Sequence, residues 1–174
     1  MGLAPTIRPA WSSDVVALSD LARRTWSDAF AQGLSPDDAS IELEEGRSEA
    51  YFREALREKA ILVAEQDGAL LGYVQFGDVD IPELEPRPGD QAVQRLYIET
   101  SQQGRGLGRR LLEAALAHPR LAKARRIFVQ VWEENERAVR LYESLGFQTV
   151  GTTTFMVGSE VMEDLVLLLD KGAQ

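Results

Sequence analysis

The chain has 174 residues, 44% of them hydrophobic and 27% charged, a composition that predicts one globular domain spanning residues 1–174. Its formal net charge of −9 argues against nucleic acid as a partner, and leaves open whether the charge steers a small cationic substrate or only keeps the protein soluble. Because the chain contains no cysteine, disulfides, zinc–thiolate sites and a cysteine nucleophile are excluded.

The first third of the chain is predicted to form one strand and two helical segments. Residues 6–9 have the character of a short strand. Residues 12–14 (Ser-Ser-Asp) are N-cap candidates for a helix that runs through about Phe30, because apolar side chains recur there at helical spacing. A second helical segment is expected over 37–59, with an interruption near Gly46.

The middle of the chain is predicted to form three strands. The β-prone runs 61–65 and 69–76 flank 66–68 (Gln-Asp-Gly), a sequence typical of a hairpin turn. The connection 78–90 is rich in proline and acidic residues, so we expect no regular structure in it. A third β-prone run follows at 93–98 and leads into a loop with three glycines.

The remainder of the chain alternates helices and strands. A helix is predicted from Leu107 to near His118, and the nearly continuous apolar run 127–132 predicts a strand buried on both faces. Asn135 opens another helix, which Gly146 ends. His118, the single histidine, precedes a proline and is interpreted as a helix-terminal residue.

The last two strands, 147–157 and 161–169, are predicted to pair antiparallel across Gly158 and Ser159. The element order becomes β, α, α, β, β, β, α, β, α, β, β. It predicts an α/β (α+β) fold with a mixed sheet of about seven strands and helices on both faces. The central β-α-β-α part requires parallel strands. The long apolar final strand could pair across a homodimer, which makes a second copy a candidate partner.

The loop between the third β-prone run and the following helix is predicted to hold a pyrophosphate. Gly104, Gly106 and Gly108 allow close approach of the backbone to an anion, and the N-terminus of a helix offers N–H groups without an internal partner. Arg105 and Arg109 add cationic donors in an otherwise acidic chain. The order strand, glycine loop, helix therefore predicts a phosphate cradle.

Two common nucleotide motifs do not fit this loop. A P-loop requires a lysine after the last glycine, and none is present. A dinucleotide fingerprint requires Gly-x-Gly-x-x-Gly in the first β-α turn, whereas this loop lies deep in the chain and is spaced differently. A third pattern, Gln/Arg-x-x-Gly-x-Gly/Ala, is matched in full by residues 103–108.

With that motif and the sequence from Trp132 to Phe147, the chain resembles the GCN5-related N-acetyltransferase (GNAT) superfamily. Three shorter stretches are similar, more narrowly, to bacterial spermidine/spermine N-acetyltransferases: residues 95–98, residues 132–135 and the closing segment from 155 to 166. The resemblance implies acetyl-CoA as co-substrate, no metal, and a central strand pair that splays apart to admit the pantetheine arm. It implies that Leu96, Tyr97 and Ile98 bind acetyl-CoA through their main chain, the Ile98 N–H also serving as oxyanion donor. The implied pyrophosphate ligands are Gln103, Gly104, Arg105, Gly106, Leu107, Gly108 and Arg109.

Asn135 and Tyr142, which follow the glycine loop in the chain, each have two interpretations. The resemblance implies that Asn135 contacts the acetyl-CoA arm, whereas asparagine at a helix start is also a common N-cap, and the two roles are compatible. It implies that Tyr142 binds acetyl-CoA and donates a proton to the departing thiolate, whereas its place on an apolar stripe suits a core aromatic.

The sequence does not identify a general base. Many relatives have a glutamate a few residues before the Leu-Tyr-Ile triplet, where this chain has Ala92. The acidic residues Asp80, Glu83 and Glu85 are candidates, as is a chain of water molecules, with positioning of the two reactants supplying part of the rate.

The acceptor is expected to be a primary amine on a small cationic molecule, a polyamine among the candidates. Acidic residues clustered in the helical pair near 26–45 and in the 78–90 loop could bind a polycation, or could form a solvated face. Two other functions stay open: acetylation of a protein N-terminus or lysine, and a catalytically silent acetyl-CoA-binding module. Because no apolar run is long enough to span a bilayer and no signal peptide is recognised, a cytoplasmic protein without a membrane partner is expected.

Overall fold

The computed structural model describes residues 3–30, 33–157 and 159–172, and their elements follow the predicted order. The strands are β1 (Thr6–Pro9), β2 (Ala60–Gln66), β3 (Ala69–Gly77), β4 (Gln91–Ile98), β5 (Arg126–Trp132), β6 (Gln148–Val157) and β7 (Glu160–Asp170). The helices are α1 (Val15–Phe30), α2 (Pro36–Gly46), α3 (Glu49–Glu58), α4 (Leu107–Ala117), α5 (Pro119–Ala122) and α6 (Glu136–Ser144).

The strands form one mixed seven-stranded sheet in the order β1-β2-β3-β4-β5-β7-β6. β4 and β5 are parallel, as the crossover through α4 requires, and they pair over 91–93 and 127–129. β1–β2, β5–β7 and β6–β7 are antiparallel. The predicted mixed sheet is confirmed. The final strand β7, however, lies between β5 and β6, so the expectation that it could pair across a dimer is wrong: its edges are already occupied.

The chain divides into two compact units, and the prediction of a single domain stays a prediction. The first unit comprises Met1–Gln75 and Arg95–Leu116, and the second comprises Phe76–Gln94 and Ala117–Gln174. The core of the first unit forms where the apolar faces of α1 and α3 pack with side chains of β2 and β3, including Leu18, Phe52 and Tyr73. In the second unit, Ile81 anchors the irregular connection 78–90 against Ala92, Phe128 and Val166.

The structure refines three predicted boundaries. Residues 12–14 form a 3₁₀ turn instead of capping α1 directly, and the carboxylate of Asp14 accepts a hydrogen bond of 2.7 Å from the Trp11 N–H. The interruption expected near Gly46 falls at Arg47 and Ser48, where the Ser48 hydroxyl caps α3. His118 is helix-terminal as expected, because its ring nitrogen caps the short helix α5, which the sequence did not predict.

The predicted turns take the conformations that their residue types favour. At the β2–β3 hairpin, Asp67 and Gly68 have φ values of 52° and 80°, both in the left-handed region that two-residue hairpins require. Gly146 ends α6 with a φ of 96°. Of the turn predicted between the last two strands, Ser159 is described, whereas Gly158 lies outside the described residues.

Candidate active site

The glycine loop of the first unit has the backbone that its composition predicts. Gly104 and Gly106 have φ values of 77° and 78°, in the region where a side chain is strained. The first hydrogen bond of α4 runs from the Arg110 N–H to the Gly106 carbonyl over 3.1 Å. The N–H groups of 107–109 therefore precede the helical ladder, at the positive end of the helix dipole.

Buried leucines hold the start of α4 in place. Leu107, Leu111 and Leu112 are buried on one face of the helix, so the first turn cannot move without disturbing the core. The arginines of this turn already have protein partners: Arg109 pairs with Glu113 at 2.8 Å, and the Arg110 guanidinium donates to the Pro5 carbonyl at 2.7 Å. The backbone N–H groups of this turn are thus the donors best placed for an anion.

The strand that precedes the loop is closely packed on its neighbour at Gly72. A Cβ added to Gly72 would lie 2.7 Å from the Ile98 side chain and 3.0 Å from the Tyr97 carbonyl oxygen. The Tyr97 ring stacks on Tyr73 with 5.8 Å between the ring centroids. The Gln103 side-chain amide donates to the Ile98 carbonyl at 3.4 Å. Leu96–Ile98 is therefore held by packing on one side and by the loop at its end.

A half-buried arginine, to whose side chain the sequence assigned no role, joins this strand to the helical segments. The Arg95 guanidinium donates to the Gly46 carbonyl at 2.6 Å and lies 4.2 Å from the centroid of the Tyr51 ring. The Tyr51 hydroxyl in turn accepts a hydrogen bond of 2.8 Å from the Gln75 amide. Arg95 links the end of α2 and the start of α3 to the residue just before Leu96.

Several of the acidic residues expected to bind a polycation are engaged within the protein. Glu42 pairs with Arg47 at 3.3 Å, Glu44 with Arg23 at 3.1 Å, and Glu49 with Arg53 at 2.5 Å. Asp28 accepts a hydrogen bond from the Thr100 hydroxyl at 2.9 Å. The helical segments therefore present less uncompensated negative charge than their composition suggests.

In the second unit, Asn135 occupies the N-cap of α6. Its side-chain oxygen accepts a hydrogen bond of 3.2 Å from the Ala138 N–H, and its own N–H donates to the Trp132 carbonyl at 2.9 Å. The N-cap interpretation is confirmed. Since the residue is exposed, the cap leaves its amide nitrogen accessible.

Tyr142 is packed as the core-aromatic interpretation predicts. It is 4% exposed, and its ring meets the Phe147 ring edge-on with 5.4 Å between the centroids. The Phe147 N–H donates to the Tyr142 carbonyl at 3.2 Å. Ring and backbone are fixed, so the hydroxyl group has a defined position at the end of α6.

The acids of the 78–90 connection differ in burial. Asp80, Glu83 and Glu85 are exposed, whereas the buried Asp90 accepts two hydrogen bonds from the Arg126 guanidinium, which lowers the pKa of this carboxyl. The sequence overlooked a different acid. Asp164 on β7 is buried, and burial raises the pKa of its carboxyl. Its signal in the sequence is an acid that directly precedes the apolar run 165–169 of the last strand.

Neither a metal-binding cluster nor a membrane-spanning helix is found in the part of the chain that the structure describes. Within 3–30, 33–157 and 159–172, we find no cluster of three or more His, Cys, Asp or Glu side chains suited to a metal ion. No helix in these same ranges is long and apolar enough to cross a membrane.

The order of elements, the glycine loop and the capped α6 define the class of protein. Residues 16–147 match the model of the family described as Acetyltransferase (GNAT) family. The protein is thus an acetyltransferase, with acetyl-CoA as co-substrate. The chain belongs to the GNAT family.

Known proteins of similar sequence and structure agree with this assignment. The chain is 29% identical to an uncharacterized N-acetyltransferase of Mycobacterium bovis over 158 residues, 90% of this chain and 97% of the relative. It is 34% identical to a spermine/spermidine N(1)-acetyltransferase of Bacillus subtilis over 97 residues, 55% of this chain and 63% of the relative. Its fold is similar to that of PaiA N-acetyltransferase from Thermoplasma acidophilum in complex with coenzyme A (TM-score 0.77, 18% identity, covering 97% and 99% of the two chains).

Proposed function

We propose that this acetyltransferase transfers the acetyl group of acetyl-CoA to a primary amine of a small cationic molecule, with a polyamine as the first candidate. The observation that carries the acetyl-CoA part is the Leu96–Arg109 segment, a fixed strand followed by two left-handed glycines and a helix N-terminus. The net charge of −9 supports a cationic acceptor, because it attracts cations from solution.

In this proposal the first unit supplies the main-chain contacts. The main chain of Leu96, Tyr97 and Ile98 binds the pantetheine arm, and the N–H groups from Gln103 to Arg109 bind the pyrophosphate. The Ile98 N–H stabilises the negative charge that develops on the thioester oxygen. An N–H held in place by its strand is effective in this role, because it needs no reorganisation during the reaction.

The proposal assigns the leaving-group chemistry to Asn135 and Tyr142. Asn135 contacts the acetyl-CoA arm through the part of its amide that the N-cap leaves unused. The Tyr142 hydroxyl donates its proton to the coenzyme A thiolate as the carbon–sulfur bond breaks. The ring packing on Phe147 keeps this hydroxyl in one orientation, which is the property a proton donor requires.

Thiol release from acetyl-CoA, measured across a panel of amines, tests the proposal. The panel contains spermidine, spermine, an amino acid and a peptide with a free N-terminus, with mass spectrometry to identify the product. We expect release with the polyamines. Release with the peptide alone would contradict the proposal in favour of protein acetylation. Binding of acetyl-CoA without release under any amine would contradict it in favour of a silent module.

The Tyr142→Phe variant tests the assigned proton donor within the same assay. It preserves the ring contact with Phe147, so the fold and the affinity for acetyl-CoA should be unchanged. We expect kcat to fall by about a hundredfold, the lower end of the usual contribution of general acid catalysis. An unchanged kcat would refute the assignment. A cytoplasmic location stays a prediction from the sequence, as does a homodimer, whose contact would have to lie elsewhere than at the edges of β7.

A further inference from the structure

Asp164 is a buried acid to which the proposed mechanism assigns no role. It is 6% exposed, on the inner strand β7. Asp90, which is similarly buried, is paired with Arg126, whereas the ion pairs found among the described residues do not include Asp164. A buried carboxylate without a cation is costly, so its retention in the interior needs an explanation.

The hydrogen bonds of Asp164 leave one of its oxygens unused. The Gln130 amide donates to Oδ2 at 2.7 Å, while Oδ1 is buried with no hydrogen-bond partner in the part of the chain that the structure describes. Thr153 lies directly opposite on β6 and is 4% exposed, and its hydroxyl is likewise buried without a partner in those residues. Directly opposite residues share one face of a sheet, so the two unsatisfied oxygens are neighbours.

The position of Asp164 in the sheet is that of a ligand-binding residue. It is opposite Trp132, the last residue of β5, so it lies at the carboxyl end of a strand that runs parallel to β4. In open sheets with parallel strands, ligands bind beyond these carboxyl ends. Trp132 also begins the turn that leads through Asn135 to α6, the helix that carries Tyr142.

The charges around Asp164 select a cation that donates hydrogen bonds. Burial raises the pKa of its carboxyl, and the nearby carboxylate of Glu133 raises it further. A positive charge beside Asp164 offsets both the loss of hydration and the repulsion from Glu133. An alkylammonium group combines that charge with three N–H donors, of which two can be accepted by Asp164 Oδ1 and the Thr153 hydroxyl.

We propose that Asp164 receives the ammonium group of the acceptor and removes its proton, with Thr153 as a second hydrogen-bond acceptor and Gln130 as the residue that orients the carboxylate. This inference rests on the proposed acetyl transfer to an amine. It assigns the general base to a buried carboxylate, whereas the candidates from the sequence, Asp80, Glu83 and Glu85, are all exposed.

The proposed reaction balances in protons and bonds. Asp164 takes one proton from the ammonium group, which frees the nitrogen lone pair to bond to the thioester carbonyl carbon. The carbon–sulfur bond then breaks, and the thiolate takes a proton from Tyr142. The nitrogen loses a second proton as the amide forms, and this proton restores the tyrosine. Asp164 returns its proton to solvent, so one proton is released for each amide formed.

The test compares Asp164→Asn with Glu163→Gln in the full chain. Asparagine has the size of aspartate and still accepts the hydrogen bond from Gln130, so the strand should fold. Glu163 is the neighbouring acid on the same strand, is exposed and points to the other face. Its replacement by glutamine therefore removes one carboxylate without touching the proposed site, and serves as the matched control. With spermidine at pH 7, we expect kcat/KM to fall about a hundredfold or more in D164N and less than about twofold in E163Q.

The pH profile separates a base from a structural residue. Alkylamines have pKa values near about 10, so the amine becomes neutral without help as the pH rises. The deficit of D164N should therefore shrink between pH 7 and pH 10, with unchanged affinity for acetyl-CoA. A deficit that is equal at every pH, or activity within about threefold of the wild type at pH 7, would overturn the inference.

A second variant and the wild type complete the test. Thr153→Val should raise the KM for spermidine about tenfold with a smaller change in kcat, and an unchanged KM would contradict the role of its hydroxyl. If the wild type itself releases no thiol with any amine, the proposed function fails and this inference fails with it. That result is recognised from the wild type alone, before any variant is compared.

Discussion

The guanidinium of Arg95 donates a hydrogen bond to the carbonyl of Gly46 over 2.6 Å, which joins β4 to the end of α2. The same group lies over the Tyr51 ring at 4.2 Å. The residue that follows Arg95 begins the Leu96–Ile98 segment. A single side chain of β4 therefore contacts the end of α2 and the start of α3, beside the packing of Tyr97 against the core that α1 and α3 form.

Replacing Arg95 by methionine should destabilise the protein and alter the Leu96–Ile98 segment. The variant keeps an apolar stem against Tyr51 but leaves the Gly46 carbonyl without its charged donor, a loss of about 1.5–3 kcal/mol. We expect the free energy of unfolding in urea to fall by this amount and the KM for acetyl-CoA to rise. Arg53→Met is the control, because its pair with Glu49 is exposed. Equal stability losses in the two variants would contradict the prediction.

Replacing Gly72 by alanine should disturb the strand that carries Ile98. The new methyl group would lie 2.7 Å from the Ile98 side chain and 3.0 Å from the Tyr97 carbonyl oxygen, so the Ile98 side chain must move and the backbone at Tyr97 must yield slightly. Overpacking of this kind costs about 1–3 kcal/mol. We expect lower stability and weaker binding of acetyl-CoA, measured by calorimetry.

Gly151→Ala provides the comparison for this variant. Gly151 is also in a strand, and no described atom lies within 4 Å of a Cβ built there. Its substitution should change neither stability nor affinity by a measurable amount. If Gly72→Ala binds acetyl-CoA as tightly as Gly151→Ala does, the close approach of β3 to β4 is not required for the site.

Replacing Gly106 by alanine tests the backbone of the phosphate loop. The φ of 78° is strained for alanine by about 1–2 kcal/mol, although no described atom lies within 4 Å of the added methyl group. We expect the Kd for coenzyme A to rise about tenfold. Gly89→Ala places the same strain at a φ of 87° in the 78–90 connection. Gly89→Ala should lower the free energy of unfolding by a similar amount and leave the Kd for coenzyme A unchanged. If both variants raise this Kd equally, the role of the loop is refuted.

Because Asp90 pairs with Arg126, the free energy of unfolding should depend on pH. The Arg126 hydrogen bonds lower the pKa of Asp90 in the folded protein below its value in the unfolded chain. Its contribution is then complete above about pH 4, the usual unfolded pKa, and is lost as the pH falls through the lower folded pKa. Asp90→Asn should thus lose about 1–3 kcal/mol at pH 7, and the difference from wild type should vanish at the lowest pH values.

Urea unfolding at pH 7 and at pH 2.5 measures this difference. Asp78→Asn is the control, since Asp78 pairs with Arg120 at 2.9 Å but its side chain is 86% exposed. Exposed pairs contribute about 0–1 kcal/mol, so this variant should remain near the wild type at both values of pH. A deficit of Asp90→Asn that persists undiminished in acid would show that the ion pair is not its source.

Local patterns predicted most of the fold. Helical spacing located α1 and α6, two β-prone runs and the Asp67-Gly68 turn located the hairpin, and the order of elements gave the parallel pairing of β4 and β5. The 3₁₀ turn at 12–14 and the helix α5 were missed, because single turns carry too little periodicity to stand out. The place of β7 between its neighbours depends on long-range pairing, which no local pattern encodes.

The candidate site was predictable only where a motif is contiguous. Residues 103–108 and Asn135 are read from neighbouring positions, and the structure gives them the expected loop and cap. Gly72, Arg95 and Asp164 act through residues that are distant in the chain. Gly72 is in close contact with Ile98, and Arg95 donates a hydrogen bond to Gly46. Asp164 accepts a hydrogen bond from Gln130 and lies opposite Thr153. One sequence does not reveal such pairs.

The insertion of β7 between β5 and β6 has a consequence for how the protein is made. During synthesis, β5 and β6 leave the ribosome before the strand that joins them, so β6 has no partner strand and β5 keeps one open hydrogen-bonding edge until β7 has been made. A messenger truncated before Glu160 would yield a chain in which β5 still pairs with β4, while its other edge and the whole of β6 stay unpaired. Open strand edges of this kind promote aggregation. The eleven residues of β7 therefore join β6 to the sheet and close the edge of β5.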